Sequence, residues 1–148
     1  MTDHGIRRET GASISTADLY AALHLRAAVF VVEQECAYLD PDGRDLEDST
    51  EHLWITDGTG GIAAYLRVLR EPDGSCRIGR VVTAADRRGE RLASRLLQAL
   101  LDEVSGTVVL SAQSHHTSLY ERHGFAADGP EFLDDGIPHT PMRRPPRA

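Results

Sequence analysis

Residues 86–95 read Asp86-Arg87-Arg88-Gly89-Glu90-Arg91-Leu92-Ala93-Ser94-Arg95, four arginines and a glycine leading into an apolar helical stripe. That arrangement is an anion cradle. The first turn of a helix leaves its amide N–H groups without carbonyl partners, the helix dipole adds positive charge there, and guanidinium groups supply more. Gly89 lets the backbone bend and come close to a ligand. A diphosphate is the natural guest. Other reactive types are present without such a frame. Ser111, Ser114 and Ser118 lack the G-x-S-x-G elbow of a hydrolase. Cys36 and Cys76 show no metal or redox spacing and read as free thiols. His115 and His116, being adjacent, are expected to point to different sides, so no metal set is expected.

The cradle needs a strand before it and a helix after it. Ile78–Thr83 is β-branched and reads as the strand; Leu92, Leu96, Leu97, Leu100, Leu101 and Val104 recur at helical spacing and read as the helix. Upstream, Ile6–Ile14 alternates weakly as a first strand. Ser15 or Thr16 caps a helix whose apolar face is expected to carry Leu19, Leu23, Ala27 and Phe30, breaking near Glu33. His52–Thr56 and Ile62–Leu69 form a hairpin through the turn at 58–61. Downstream, Thr107–Ala112 is predicted parallel to Ile78–Thr83, because a helix-length connection separates them. Thr117–His123 reads as a short helix, Phe125–Ala127 as a strand, and Ile137–Met142 as the strand that closes the sheet. The tail from Arg143 to Ala148 is expected to fray.

At 148 residues, with 41% hydrophobic and 26% charged residues, the chain fits a single folded domain spanning 1–148. A net charge of −7 speaks against a general nucleic-acid coat. No apolar run reaches the roughly 18 residues of a membrane span, and the N-terminus has no leader pattern. A cytoplasmic location is the expectation. The loop from Tyr38 to Glu51 is acidic, and it reads either as a solvated surface loop or as a cleft wall that attracts a cationic ligand. Its Asp40-Pro41-Asp42-Gly43 segment fails as a calcium loop, since Arg44 and Asp45 occupy the fifth and sixth positions.

The order strand, Arg-Arg-Gly turn, helix, strand, then Leu119-Tyr120-Glu121-Arg122-His123-Gly124-Phe125 resembles the GNAT superfamily of acyl-CoA-dependent N-acyltransferases. Arg88-Gly89-Glu90-Arg91-Leu92-Ala93 is similar to its pyrophosphate motif, Q/R-x-x-G-x-G/A. Arg91 stands where that motif usually has glycine. The segments at 28–34, 40–43, 78–81 and 135–139 resemble the ElaA-like branch. The resemblance implies an α/β (α+β) fold: a mixed, mostly antiparallel twisted sheet flanked by helices, with a V-shaped split between two central parallel strands. It implies acetyl-CoA (coenzyme A) as co-substrate and no metal. Backbone groups of Val81, Val82 and Thr83 would pair with the pantetheine arm through a bulge. Amides of Arg88, Gly89, Glu90, Arg91, Leu92, Ala93 and Ser94 would hold the diphosphate. Gln113 or His115 falls where relatives place a cofactor-contacting asparagine, and Tyr120 matches the proton donor to the leaving thiolate.

Amide formation also needs a group to remove a proton from the amine, since an alkyl ammonium with a pKa near roughly 10 is not nucleophilic at neutral pH. Glu33, His52, His115, His139 and a water relay are the candidates. The expected activity is acetyl transfer to a primary amine, on a small molecule or peptide, by direct attack in a ternary complex; the cleft-wall reading of the acidic loop favours a cationic acceptor. Two rivals stay open: a non-catalytic acyl-CoA sensor or partner module, and a phosphate-binding domain for another nucleotide. A homodimer is left open as well.

Overall fold

The computed structural model describes residues 5–147. Helix α1 (Thr16–Arg26) starts at Ser15, whose hydroxyl accepts the Asp18 amide at 3.1 Å, and runs on into a π-helical stretch, Ala27–Glu33. Strands β1 (Ile6–Thr10), β2 (Glu51–Thr56), β3 (Ile62–Arg70) and β4 (Cys76–Thr83) follow one another antiparallel across one half of the sheet. Helix α2 (Leu92–Leu101) then crosses to β5 (Val108–Gln113), and α3 (Thr117–Glu121) precedes β6 (Ala126–Ala127), β7 (Phe132–Asp134) and β8 (Ile137–Arg144). The sheet order is β1-β2-β3-β4-β5-β8-β6, with β7 paired to β8. Among the described residues only β4 and β5 are parallel, as a helical crossover requires. The fold class read from the sequence therefore holds.

Two apolar layers sandwich the sheet. On one face α2 buries Leu92, Leu96, Leu97, Leu100 and Leu101 against Leu53, Leu66, Ile78 and Leu110. Each such leucine contributes about 1.5–3 kcal/mol, so this one helix anchors its end of the sheet firmly. On the other face α1 and its extension place Ala22, Leu25 and Val29 over Trp54, Tyr65 and Val82. This differs from the expected α1 face. Ala27 is exposed, and the buried stripe runs Ala22, Leu25, Arg26, Val29. Arg26 is 0% exposed, and it sits on that stripe because acidic partners from the 38–51 loop come to it.

Three further expectations are corrected. Strand β8 lies inside the sheet, between β5 and β6, rather than at its edge, and β7 was not foreseen. Strand β8 also pairs through Arg144, and the Arg147 amide donates to the Ser105 carbonyl at 2.9 Å, so the expected fraying from Arg143 does not occur there. The acidic loop, finally, is not a solvated loop at Asp40 and Asp45, which are buried, and its Asp42 is ion-paired. Arg26 bonds Asp40 and Asp45 at 2.7 Å each, Arg67 bonds Asp42 and Asp45, and Arg80 reaches Asp40 at 2.9 Å. Both cysteines are free and buried.

Candidate active site

Strands β4 and β5 pair only at Cys76 with Val108 and Arg77 with Val109. Beyond those two rungs they separate, and the gap opens into a cleft of about 1010 Å³. A bulge causes part of this. Between Tyr65 opposite Val82 and Arg67 opposite Gly79, β4 spends one residue more than β3. Arg80 takes up the extra length in the left-handed region at φ 53°. An added residue bends and twists its strand away from the neighbour it would otherwise pair with. The β5-facing backbone of Val81, Val82 and Thr83 is thereby exposed to the cleft, which all three residues line.

At the cleft mouth the chain turns through Ala85–Arg87 and enters α2. Gly89 has φ +90°, and nothing lies within 4 Å of where its Cβ would be. Arg91, at the position usually held by glycine, is itself left-handed with φ 58° and ψ 31°, so the arginine accepts the turn that glycine makes freely. No side chain caps α2, and the first helical bond is from the Arg95 amide to the Arg91 carbonyl. The amides of Leu92, Ala93 and Ser94 thus head a helix with positive potential and no side-chain anion on it. The side chains around this turn are engaged elsewhere. Leu92 is buried in the core, the Glu90 carboxylate bonds Arg87, and Ser94 Oγ lies 2.8 Å from His123 Nε2.

Arg88 and Glu33, both expected at the site, meet each other. The Arg88 guanidinium donates to the two Glu33 oxygens at 2.6 and 2.8 Å and to the Thr83 carbonyl at 3.3 Å. The hydrogen bonds and charge of Arg88 hold the Glu33 carboxyl below its ordinary range. Next to it Gln34 exchanges side-chain hydrogen bonds with Gln113 at 3.1 and 3.4 Å. Consecutive residues of the α1 extension therefore touch both arms of the split, Glu33 at the turn after β4 and Gln34 at the end of β5. The role of Gln34 was not foreseen, because only tertiary structure brings it to Gln113.

Tyr120 lines the same cleft from α3, 7% exposed, with its ring edge-on to Phe125. Burial pushes its phenol above the usual range, so it is protonated throughout the physiological window. His115 and His116 also line the cleft. Their rings lie 4.0 Å apart rather than on opposite sides, because they occupy a 3₁₀ turn and not a strand. Burial, then the charges of His115 and Arg88, lower the His116 value. No cluster of three or more metal-ligating side chains occurs among the described residues. His139 lines the cleft from β8. His52 is fully buried, bonded to Tyr65 Oη at 2.5 Å and the Asp45 carbonyl at 2.9 Å, and out of reach of any substrate.

A split parallel pair, a bulge on its first strand and an uncapped helix beginning at its mouth define the acyltransferase fold of the GNAT type. The chain belongs to that family: residues 26–145 match the model described as an acetyltransferase (GNAT) domain. It is 45% identical over 149 residues to the UPF0039 protein Rv2851c of Mycobacterium tuberculosis, covering 98% of this chain and 95% of that one. An acyl-CoA N-acyltransferase from Pseudomonas aeruginosa superposes with a TM-score of 0.87 at 40% identity, over 94% of this chain and 98% of that one. Escherichia coli ElaA superposes with a TM-score of 0.86 at 34% identity, over 94% and 97%. The resemblance to the ElaA-like branch is thus upheld. Among the described residues no helix is long and apolar enough to cross a membrane.

Proposed function

We propose that the chain moves an acetyl group from acetyl-CoA to a primary amine, by direct attack with both substrates bound. One observation carries this reading: the uncapped start of α2 and the buried phenol of Tyr120 open onto a single cleft between β4 and β5. Amides from Arg88 to Ser94 hold the diphosphate, and guanidinium charge adds to theirs. The pantetheine arm runs along Val81 to Thr83 and adds a strand's hydrogen bonds where β5 has withdrawn. The amine nitrogen attacks the thioester carbon and the carbon–sulfur bond breaks. Tyr120 gives its proton to the departing thiolate, a step for which a neutral, buried phenol is suited.

The name of the Pseudomonas aeruginosa relative supports an amine acceptor, and the family description supports acetyl. The acceptor's positive charge is met by Asp134 and Asp135, which line the cleft, and not by Asp40, Asp42 and Asp45 of the 38–51 loop, which are already paired with arginines. The sensor reading draws on one observation, that Glu33 is engaged by Arg88 and is a weakened proton acceptor. Thiol release from acetyl-CoA with a panel of amines separates the two. Turnover should fall by about 100-fold in Tyr120→Phe with acetyl-CoA affinity retained, the scale of a lost general acid. Tight binding with no turnover on any amine would make the chain a sensor.

A further inference from the structure

We infer that His139 is the catalytic base that takes the proton from the acceptor amine; this rests on the acetyl-transfer reading above. Sheet alternation places the side chains that matter. On β5, Leu110 and Ala112 pack on the α2 face, so Ser111 and Gln113 face α1. On β8, Met142 packs on the α2 face opposite Leu110. His139 is therefore on the α1 face, and it stands directly opposite Gln113, the residue that Gln34 reaches from the α1 extension. Tyr120 belongs to the α2 face, packed in the cluster around Leu96 and Leu100. A thioester threaded through the split thus has an acid on one side and an imidazole on the other.

The imidazole is also prepared for the task. Its Nδ1 lies 2.7 Å from the Ile137 carbonyl, and a carbonyl only accepts, so Nδ1 carries hydrogen. In the neutral ring this leaves Nε2 as the acceptor. The ring stacks on Phe132 with centroids 5.9 Å apart, and Cys36 Sγ donates to the Asp135 carbonyl, pinning the turn that presents it. Two of the rival groups are less free: Glu33 is chelated by Arg88, and His52 is sealed in the core. His115 lines the cleft too, but from the 3₁₀ turn, with its ring against His116. The steps balance. Nε2 takes one proton from the ammonium, and the freed pair forms the carbon–nitrogen bond. The carbon–sulfur pair leaves on sulfur and takes the Tyr120 proton. The second nitrogen proton restores the phenol through water, and His139 releases its own to solvent. Ammonium and thioester become amide, thiol and one proton.

A base is needed for an amine that is an ammonium ion at neutral pH, and is far less needed for one that is already neutral. The test compares an alkylamine with the alkoxyamine of the same skeleton, in wild type, His139→Ala and His139→Gln; the Gln amide N–H keeps a donor for the Ile137 carbonyl. Both variants should lose about 100-fold in kcat/KM on the alkylamine and only a few-fold on the alkoxyamine. Added imidazole should recover part of the His139→Ala loss. Equal losses on the two amines, or no loss at all, overturn the assignment, since a structural role would not distinguish them. No thiol release from either amine by wild type would instead remove the transfer reading itself.

Discussion

Ile78 and Val82 lie four residues apart on β4, yet Ile78 packs under α2 and Val82 under α1. An even spacing on a regular strand would put both on one face. The bulge at Arg80, with φ 53°, reverses the alternation and turns the strand out of register with β5.

The bulge can be tested through an inverted ranking. In an ordinary strand glycine is less stable than alanine by roughly 0.5–1 kcal/mol. At residue 80 both substitutions delete the same guanidinium, but only glycine meets a left-handed φ without strain. Arg80→Gly should therefore be more stable than Arg80→Ala by about 1 kcal/mol in urea titrations. The usual order would mean that β4 is regular there.

A related pair of changes addresses the cradle. Gly89→Val places a β-branched residue at φ +90° in open space, so its cost is in the backbone of the turn and not in the core. Calorimetric titration should show a marked loss of acetyl-CoA affinity with the melting temperature lowered only slightly. At residue 91, as at 80, glycine should be more stable than alanine, because Arg91 already holds φ 58°.

Arg26 and Asp45 supply a third expectation. With Arg26 wholly buried and Asp45 bonded to it at 2.7 Å, Asp45→Ala leaves a buried cation short of a partner. Chemical denaturation should register a loss of about 3–5 kcal/mol. A change confined to KM, sensitive to salt and silent in stability, would return the loop to the cleft-wall role first considered for it.

The same network sets the acid limit of the fold. Burial pushes the Asp42 and Asp45 carboxyls up, but hydrogen bonds from Arg67 and Arg26 outweigh it and hold both below the ordinary range. A depressed value means that the unfolded chain binds protons first. The stability these groups contribute is complete above the unfolded value of about 3.9 and drains away as pH falls through their folded values. Urea midpoints in wild type should drop steeply below about pH 4, and the slope should be shallower in Asp45→Asn. An unchanged slope would exclude Asp45 from the transition.

Much of the architecture was legible because it depends on local pattern. The leucine period of α2, the β-branched run of β4 and the Arg-Arg-Gly turn announce themselves without partners. What escaped depends on distant residues. Arg26 looks like the end of an apolar face unless one knows that Asp40 and Asp45 return to it. The bulge falls on an arginine, which carries no left-handed signal of its own. Strand β7 is three exposed residues, too short for any periodicity. At the site, Val81–Thr83, Arg88, Gln113, Tyr120 and His115 were singled out from the sequence, and all line one cleft. The pairing of Glu33 with Arg88 and the anchoring of His139 by Ile137 required tertiary structure.

The central claim is that main-chain amides near Gly89 and along β4 grip one carrier molecule. Backbone amide shifts of ¹⁵N-labelled protein, followed as acetyl-CoA is added, test it most directly. We expect the largest and saturable changes at residues 81–83 and 88–94, with β1 and β2 nearly silent. Saturation with the principal changes elsewhere, or no changes at any concentration, would contradict the account.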